Sequence, residues 1–167
     1  MAFRPEEVLF SPTTECNLRC PHCVVPRSRS RLSKETAIKF LDECVSLGVR
    51  RVGFTGGEPF LAIDFLAPAI KAAVNKGFLF DNITTNGVWW HTAQDLSRGL
   101  KRIQAAGYDG SICLSYDALH GQSPRKAARF ITEAARIWQR PDVVSLAMVT
   151  GARDAKTSAL IASLARA

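Results

Sequence analysis

The stretch EVLFSPTTECNLRCPHC, residues 7–23, decides how the rest of the chain is interpreted. It begins with a short apolar run, typical of a buried strand, and leads directly into three cysteines, Cys16, Cys20 and Cys23. Three thiols in so tight a loop can turn toward a single metal site. An ordinary iron–sulfur cluster is held by four cysteinates, so three would leave one iron without a protein ligand and open to another molecule. Residues 16–23 are called the cysteine loop below.

Two other interpretations of the cysteine loop remain open, a zinc site and plain structural thiols. A structural zinc ion needs four ligands, typically two pairs separated by a longer stretch, and this sequence has no second pair. His22 would be a cramped fourth ligand because it lies between Cys20 and Cys23. We interpret the remaining cysteines, Cys44 and Cys113, as packing residues of a helix and a strand. Ligand count therefore favours an iron–sulfur cluster.

The composition indicates one globular domain over residues 1–167, with 47% hydrophobic and 22% charged residues. No apolar run approaches the roughly 20 residues of a membrane-spanning helix. The N-terminus also lacks a signal-peptide core, so we predict a cytoplasmic protein with no membrane partner. Five cysteines in that setting favour metal or redox chemistry over disulfides. The net charge is +7, but the densest basic stretch, residues 27–31, belongs to no recognisable nucleic-acid module, which makes a solvated loop the favoured interpretation.

Apolar runs alternate with amphipathic segments along the chain. Strands are predicted at residues 7–11, 49–54, 78–85, 111–114 and 142–150. Helices are predicted between Ser33 and Gly48, over 65–76 with Pro68 in the first turn, between Thr92 and Gly107, from Ser123 to about 139, and over 154–166. Thr92 with Asp95 resembles a capping box, although aspartate replaces the usual glutamate or glutamine. Such alternation specifies parallel βαβ units with right-handed crossovers. The predicted fold class is α/β, built from about five parallel βα repeats.

The unusual residues of the chain all follow predicted strands. The cysteine loop follows the first strand, and the later strands are followed by Gly56-Gly57-Glu58-Pro59, Thr85-Asn86-Gly87, Ser115-Tyr116-Asp117 and Thr150-Gly151. The carboxyl ends of parallel strands meet at one edge of a sheet or barrel, where such folds build their active sites. We therefore expect these residues to surround the cysteine loop.

These residue types suit the binding of a polar ligand. Gly56 and Gly57 allow backbone to approach a ligand without side-chain obstruction, and Glu58 can accept from an ammonium group. Ser115 and Asp117 lie two apart, so they share a strand face and offer a hydroxyl and a carboxylate to groups such as ribose hydroxyls. A generic turn and a strand-end turn are the alternative interpretations of the two sets.

Residues 13–23 resemble the cluster loop of the radical S-adenosylmethionine (radical SAM) superfamily, whose signature is CxxxCxΦC. Thr55-Gly56-Gly57-Glu58-Pro59 resembles the GGE motif of that family, and the ends of the third and fourth strands resemble its later motifs. The resemblance covers about residues 7–151. It implies an incomplete (βα)6-type partial TIM barrel with five of its six units. We expect one radical SAM core domain, truncated at its C-terminal end or completed by a partner.

The resemblance implies a 4Fe–4S cluster on Cys16, Cys20 and Cys23, with S-adenosylmethionine on the open iron. Reduction by a low-potential donor such as flavodoxin or ferredoxin then yields a 5′-deoxyadenosyl radical that abstracts a hydrogen from the substrate. By the same resemblance, Gly56, Gly57 and Glu58 hold the methionine amino group. Ser115 and Asp117 contact the ribose or the carboxylate, and the backbone of His22 lies near the adenine.

Other features leave the substrate open. The family's fifth-strand GxIxGxxE pattern is not evident in residues 146–151, so no adenine contact is predicted there. His120 is a candidate proton donor or substrate contact, with a surface-turn histidine as the alternative. A peptide and a small metabolite are both candidate substrates. The rival function is a non-catalytic metal-binding fragment without a complete substrate cavity.

Overall fold

The computed structural model describes residues 4–26, 28–149 and 155–166. Within them, strands and helices alternate in the order β1 (Glu7–Phe10), α1 (Lys34–Ser46), β2 (Arg51–Phe54), a 3₁₀ helix (Pro59–Ala62), α2 (Ile63–Asn75), β3 (Leu79–Thr85), α3 (Ala93–Ala105), β4 (Ser111–Ser115), α4 (Pro124–Trp138), β5 (Val144–Ala147) and α5 (Ala155–Leu164). The five strands form one parallel sheet in the order β1-β2-β3-β4-β5. The predicted α/β fold with parallel βα repeats is confirmed.

The two faces of the sheet differ in burial because side chains alternate along each strand. The helix-facing side chains are fully buried apolar residues: Val52, Phe54, Ile83, Ile112 and Leu114. Thr84, Cys113 and Ser115 lie on the opposite face and are only half-buried. Cys44 packs in the core as predicted, with 4% exposure. Cys113 lies in β4 as predicted but outside the buried core, because its neighbours Ile112 and Leu114 take the helix-facing positions.

Helix ends agree with the sequence where the signal is local. Ser33 accepts a hydrogen bond from the backbone N–H of Thr36, as an N-cap does. Thr92 and Asp95 form the predicted capping box, with aspartate in place of the usual glutamate or glutamine.

Two predicted elements differ from the structure. The second helix begins at Ile63 rather than at 65, so Pro68 lies inside it instead of in its first turn. Pro68 has no N–H, so the helix forgoes the hydrogen bond to the carbonyl of Asp64. The earlier start follows from the 3₁₀ helix, which Glu58 caps and which runs directly into α2.

The last strand, β5, is shorter than predicted and covers Val144–Ala147. Its predicted end at Thr150-Gly151 lies outside the described residues, as does Arg27 of the basic stretch. The helix predicted from 154 is described from Ala155. None of the described helices is long and apolar enough to cross a membrane.

Candidate active site

A cavity of about 120 Å³ lies at the carboxyl edge of the sheet. We call it the cysteine cavity. Most of the residues singled out from the sequence line it, namely Cys16, Cys20, Cys23, His22, Gly56, Gly57, Ser115 and His120. The loop after β1 and the ends of β2 and β4 supply these residues, and the end of β3 adds Thr84, Thr85 and Asn86 to the lining. Glu58 and Asp117 are buried beside the cavity and do not line it.

The cysteine loop is held at its entrance by backbone hydrogen bonds from the turn after β2. The N–H of Gly57 donates to the carbonyl of Thr13 at 2.8 Å, and the N–H of Glu58 donates to the carbonyl of Glu15 at 2.7 Å. On the other side, the hydroxyl of Thr13 donates to the carbonyl of Ser30 at 3.1 Å. The segment before Cys16 is therefore fixed between two neighbouring loops.

The two glycines are required by this close approach. A Cβ on Gly57 would lie 2.2 Å from the carbonyl oxygen of Glu15. Gly56 has a φ of +123°, and a Cβ there would lie 2.5 Å from Ser11 Oγ and 2.7 Å from the carbonyl oxygen of Thr13. The sequence pattern predicts that these glycines allow a ligand to approach the backbone. In the structure the segment that they approach is the chain's own entrance to the cysteine loop.

The three thiols share the cavity but do not form a ready single-ion site. Within the described ranges, no three His, Cys, Asp or Glu side chains converge closely enough to hold one metal ion. Burial raises the pKa of Cys16. Burial also raises the pKa of Cys20, and negative charge on Cys16 and Cys23 raises it further. A cationic group between the thiols would relieve both effects, which fits iron bound by thiolates.

Glu58 is fully buried and joins the ends of β2 and β3. Its Oε1 accepts hydrogen bonds from the hydroxyl of Thr85 at 2.8 Å and the N–H of Phe60 at 3.2 Å. Its Oε2 accepts from the N–H of Asn86 at 2.8 Å. Burial raises the pKa of Glu58 to about 7, against the opposing effect of these hydrogen bonds. The contacts of this carboxyl group are therefore taken up by two backbone N–H groups and one hydroxyl, and the group lies behind the cavity wall.

Asp117 is also fully buried and joins the ends of β4 and β5. Its Oδ1 accepts from the N–H groups of Leu119 and His120, and its Oδ2 accepts from the N–H of Val149 at 2.9 Å. Burial acts to raise the pKa of Asp117, but hydrogen bonds from Val149 and His120 outweigh it and the pKa is lowered. The contacts of this carboxylate are thus taken up by the chain itself.

His120 lies in the turn after β4, but its side chain lines the cavity and is only 13% exposed. Its Nδ1 is 2.7 Å from Oδ1 of Asp117. A carboxylate accepts, so Nδ1 carries the proton and Nε2 is left to accept when the ring is neutral. The ring of His22 meets that of His120 edge-to-face at 4.8 Å. Nδ1 of His22 is buried without a hydrogen-bond partner among the described residues, which fits a ligand in this cavity.

Two residues of the site were given no role by the sequence. Asn86 lines the cavity with 7% exposure, and its Nδ2 lies 3.6 Å from Sγ of Cys16. Gln122 donates from its Nε2 to the carbonyls of Asn86 and Ser115, and so joins the ends of β3 and β4. Asn86 stands in a recognised motif, which was a usable signal. Gln122 lies in a loop after Asp117 with no motif to mark it.

The fold and the site together define an open parallel βα barrel with a three-cysteine loop at its carboxyl edge. The sequence model of the radical SAM superfamily matches residues 10–109 of the chain. The chain belongs to this superfamily, as predicted. Enzymes of the family use a 4Fe–4S cluster and S-adenosylmethionine, so the predicted enzyme class and its cofactors are confirmed at the level of the family.

Individual relatives show how much of each protein is shared. The chain is 32% identical over 147 residues to PqqA peptide cyclase from Granulibacter bethesdensis, which covers 78% of this chain and 37% of that protein. It is 35% identical over 115 residues to GTP 3′,8-cyclase from Chlorobaculum tepidum, covering 67% and 33%. Streptococcus suis SuiB bound to the precursor peptide SuiA has a similar fold, with a TM-score of 0.70 and 18% identity over 96% of this chain and 36% of that chain. The chain thus spans about a third of the length of these proteins.

Proposed function

We propose that this chain holds a 4Fe–4S cluster through Cys16, Cys20 and Cys23 and acts as one radical SAM core domain over residues 1–167. With the cluster bound, one electron cleaves S-adenosylmethionine to methionine and a 5′-deoxyadenosyl radical, which takes a hydrogen atom from the substrate. The observation that carries the proposal is the single cavity that the three thiols share with Gly56, Gly57 and Ser115.

The residues around the cavity have distinct parts in the proposal. The backbone at Gly56 and Gly57 receives the methionine amino group, and the carboxyl group of Glu58 joins the turn after β2 to Asn86 behind the cavity wall. Within the described residues the hydroxyl of Ser115 makes no hydrogen bond, so it is available to the ribose or the carboxylate. These contacts bind and orient the cofactor, which is the protein's share of such chemistry.

The remaining polar residues support the substrate side. We assign Asp117 to the positioning of His120 rather than to direct ribose contact, because its oxygens already accept four hydrogen bonds. His120 is then the group that exchanges a proton with substrate through Nε2. We assign the backbone of His22 to the adenine, as the family resemblance implies.

The substrate and the electron donor are proposed by class. Relatives include a peptide cyclase and GTP cyclases, so a peptide and a small metabolite such as a nucleotide are the two substrate classes to test. The electron comes from a low-potential carrier such as flavodoxin or ferredoxin, in a cytoplasmic setting where the cysteines stay reduced.

Anaerobic reconstitution with iron and sulfide tests the proposal. The expected result is an iron–sulfur chromophore with about four irons, followed by 5′-deoxyadenosine on addition of dithionite and S-adenosylmethionine. Cys20→Ala should lose both, whereas Cys113→Ser, outside the cysteine loop, should keep both. Uptake of about one zinc and no chromophore would refute the cluster. A cluster that yields no 5′-deoxyadenosine would favour the non-catalytic metal-binding fragment.

A further inference from the structure

Asn86 occupies the point where four segments of the site meet. Its backbone N–H donates to Oε2 of Glu58 at 2.8 Å, and its carbonyl accepts from Nε2 of Gln122 at 2.8 Å. Its side chain reaches across to Cys16 and Asn17 of the cysteine loop. Contacts on both sides of the backbone therefore fix the position of this side chain.

The orientation of the Asn86 amide follows from its neighbours. Oδ1 faces the backbone N–H of Val88 at 2.9 Å, and because that group only donates, this atom must be the oxygen. Nδ2 therefore faces the cysteine loop. The same logic orients Asn17, whose Nδ2 faces the carbonyl of Val88 at 3.1 Å. The oxygen of Asn17 is then the atom that meets Nδ2 of Asn86.

The two hydrogens of Nδ2 now have two acceptors. One is Oδ1 of Asn17 at 2.8 Å, and the other is Sγ of Cys16 at 3.6 Å. Every polar group of the Asn86 side chain is thereby satisfied. A rotation that removed the hydrogen from the sulfur would leave a nearly buried N–H unpaired, which is unfavourable.

We propose that Asn86 is a positioning residue that tunes the cluster, by donating an N–H···S hydrogen bond to the Cys16 ligand. The proposal rests on the cluster assignment in the proposed function. Hydrogen bonds to the sulfurs of an iron–sulfur cluster are one of the factors that set its reduction potential. A donor at Cys16 withdraws negative charge from the sulfur, favours the reduced cluster and raises the potential. Glu58 and Gln122 act through Asn86 by holding its backbone.

The test is an EPR-monitored redox titration of the reconstituted protein. Asn86→Asp keeps the oxygen that accepts from Val88 but replaces the N–H donor with an acceptor, and Asn86→Ala removes the donor without adding charge. In both variants the cluster should be harder to reduce. The equilibrium constant for reduction should fall by up to about tenfold, which lowers the potential by 59 mV for a one-electron couple. Asn75→Asp makes the same exchange at an exposed site at the far end of α2 and should leave the potential unchanged.

Asn17→Ala gives the opposite control. It removes the competing acceptor and leaves the sulfur as a partner of Nδ2, so the potential should not fall. An unchanged potential in both Asn86 variants would overturn the proposal. Loss of the cluster from both Asn86 variants, with an unchanged midpoint of thermal unfolding, would also overturn the proposal. Asn86 would then hold the cysteine loop in place rather than set the reduction potential of the cluster. If the unmodified protein assembles no cluster, the proposed function itself fails, and the two failures are thereby distinguished.

Discussion

Gly57→Ala should disrupt the cysteine loop without unfolding the barrel. The added Cβ would lie 2.2 Å from the carbonyl oxygen of Glu15 and 2.7 Å from its carbonyl carbon, so that backbone must move by about 1 Å. This movement breaks the bonds from Gly57 to Thr13 and from Glu58 to Glu15, each worth about 1 kcal/mol. Overpacking adds about 1–3 kcal/mol. A local cost of about 3–5 kcal/mol disfavours the native loop by more than a hundredfold.

Iron and acid-labile sulfide content after anaerobic reconstitution measures the effect. We expect Gly57→Ala to retain little cluster while its far-UV spectrum stays native. Gly48→Ala is the matched control, because it too changes a loop glycine but no atom lies within 4 Å of the new Cβ. Its φ of +83° costs about 1–2 kcal/mol of global stability, far from the cysteine loop, and its cluster should be complete. Full cluster in Gly57→Ala would show that the glycine does not serve the loop.

Two further predictions concern stability. Glu58 holds its proton more tightly in the folded state, with a pKa of about 7 against 4.5, so its contribution is full below pH 4.5 and is lost as the pH rises through 7. That loss, at most about 3 kcal/mol, should be absent from Glu58→Gln in urea unfolding at pH 5, 6 and 7.5, and parallel pH curves would contradict it. Gly99→Ala should destabilise by about 1–3 kcal/mol, because its Cβ would lie 2.4 Å from the ring of Trp89, which stacks on Phe60 at 4.6 Å. Unchanged tryptophan fluorescence and thermal midpoint in that variant would show that the ring is not displaced.

The parts of the fold that sequence predicts are those with local causes. The capping box of Thr92 and Asp95 lies within one turn, and it was found from four residues. Apolar periodicity placed all five strands for the same reason. The start of α2 was missed because the cap of the preceding 3₁₀ helix, Glu58, is itself held by Thr85 and Asn86 on another strand.

In the candidate site, too, the features with local causes are predictable from sequence and the others are not. Cysteine spacing and strand ends located the cavity, because parallel strands bring their carboxyl ends together whatever the side chains do. The direction in which a carboxylate turns depends instead on donors that are distant in sequence. Asp117 faces Val149, 32 residues away, and Glu58 faces Asn86, 28 residues away. No local pattern carries that information.

These contacts have a common arrangement. Each strand end at the cavity is tied to the next by buried or backbone hydrogen bonds: the entrance to the cysteine loop to β2 through Gly57, β2 to β3 through Glu58, β3 to β4 through Gln122, and β4 to β5 through Asp117. A sheet that is open at its edges does not fix its loops by closure, so these ties supply the rigidity that an ordered catalytic site requires. The motif residues Gly57, Glu58 and Asp117 therefore hold the strand ends around the cavity together, in addition to being candidate ligands. A substitution at one of them has to be judged first by what it does to cluster assembly, and only then by what it does to S-adenosylmethionine.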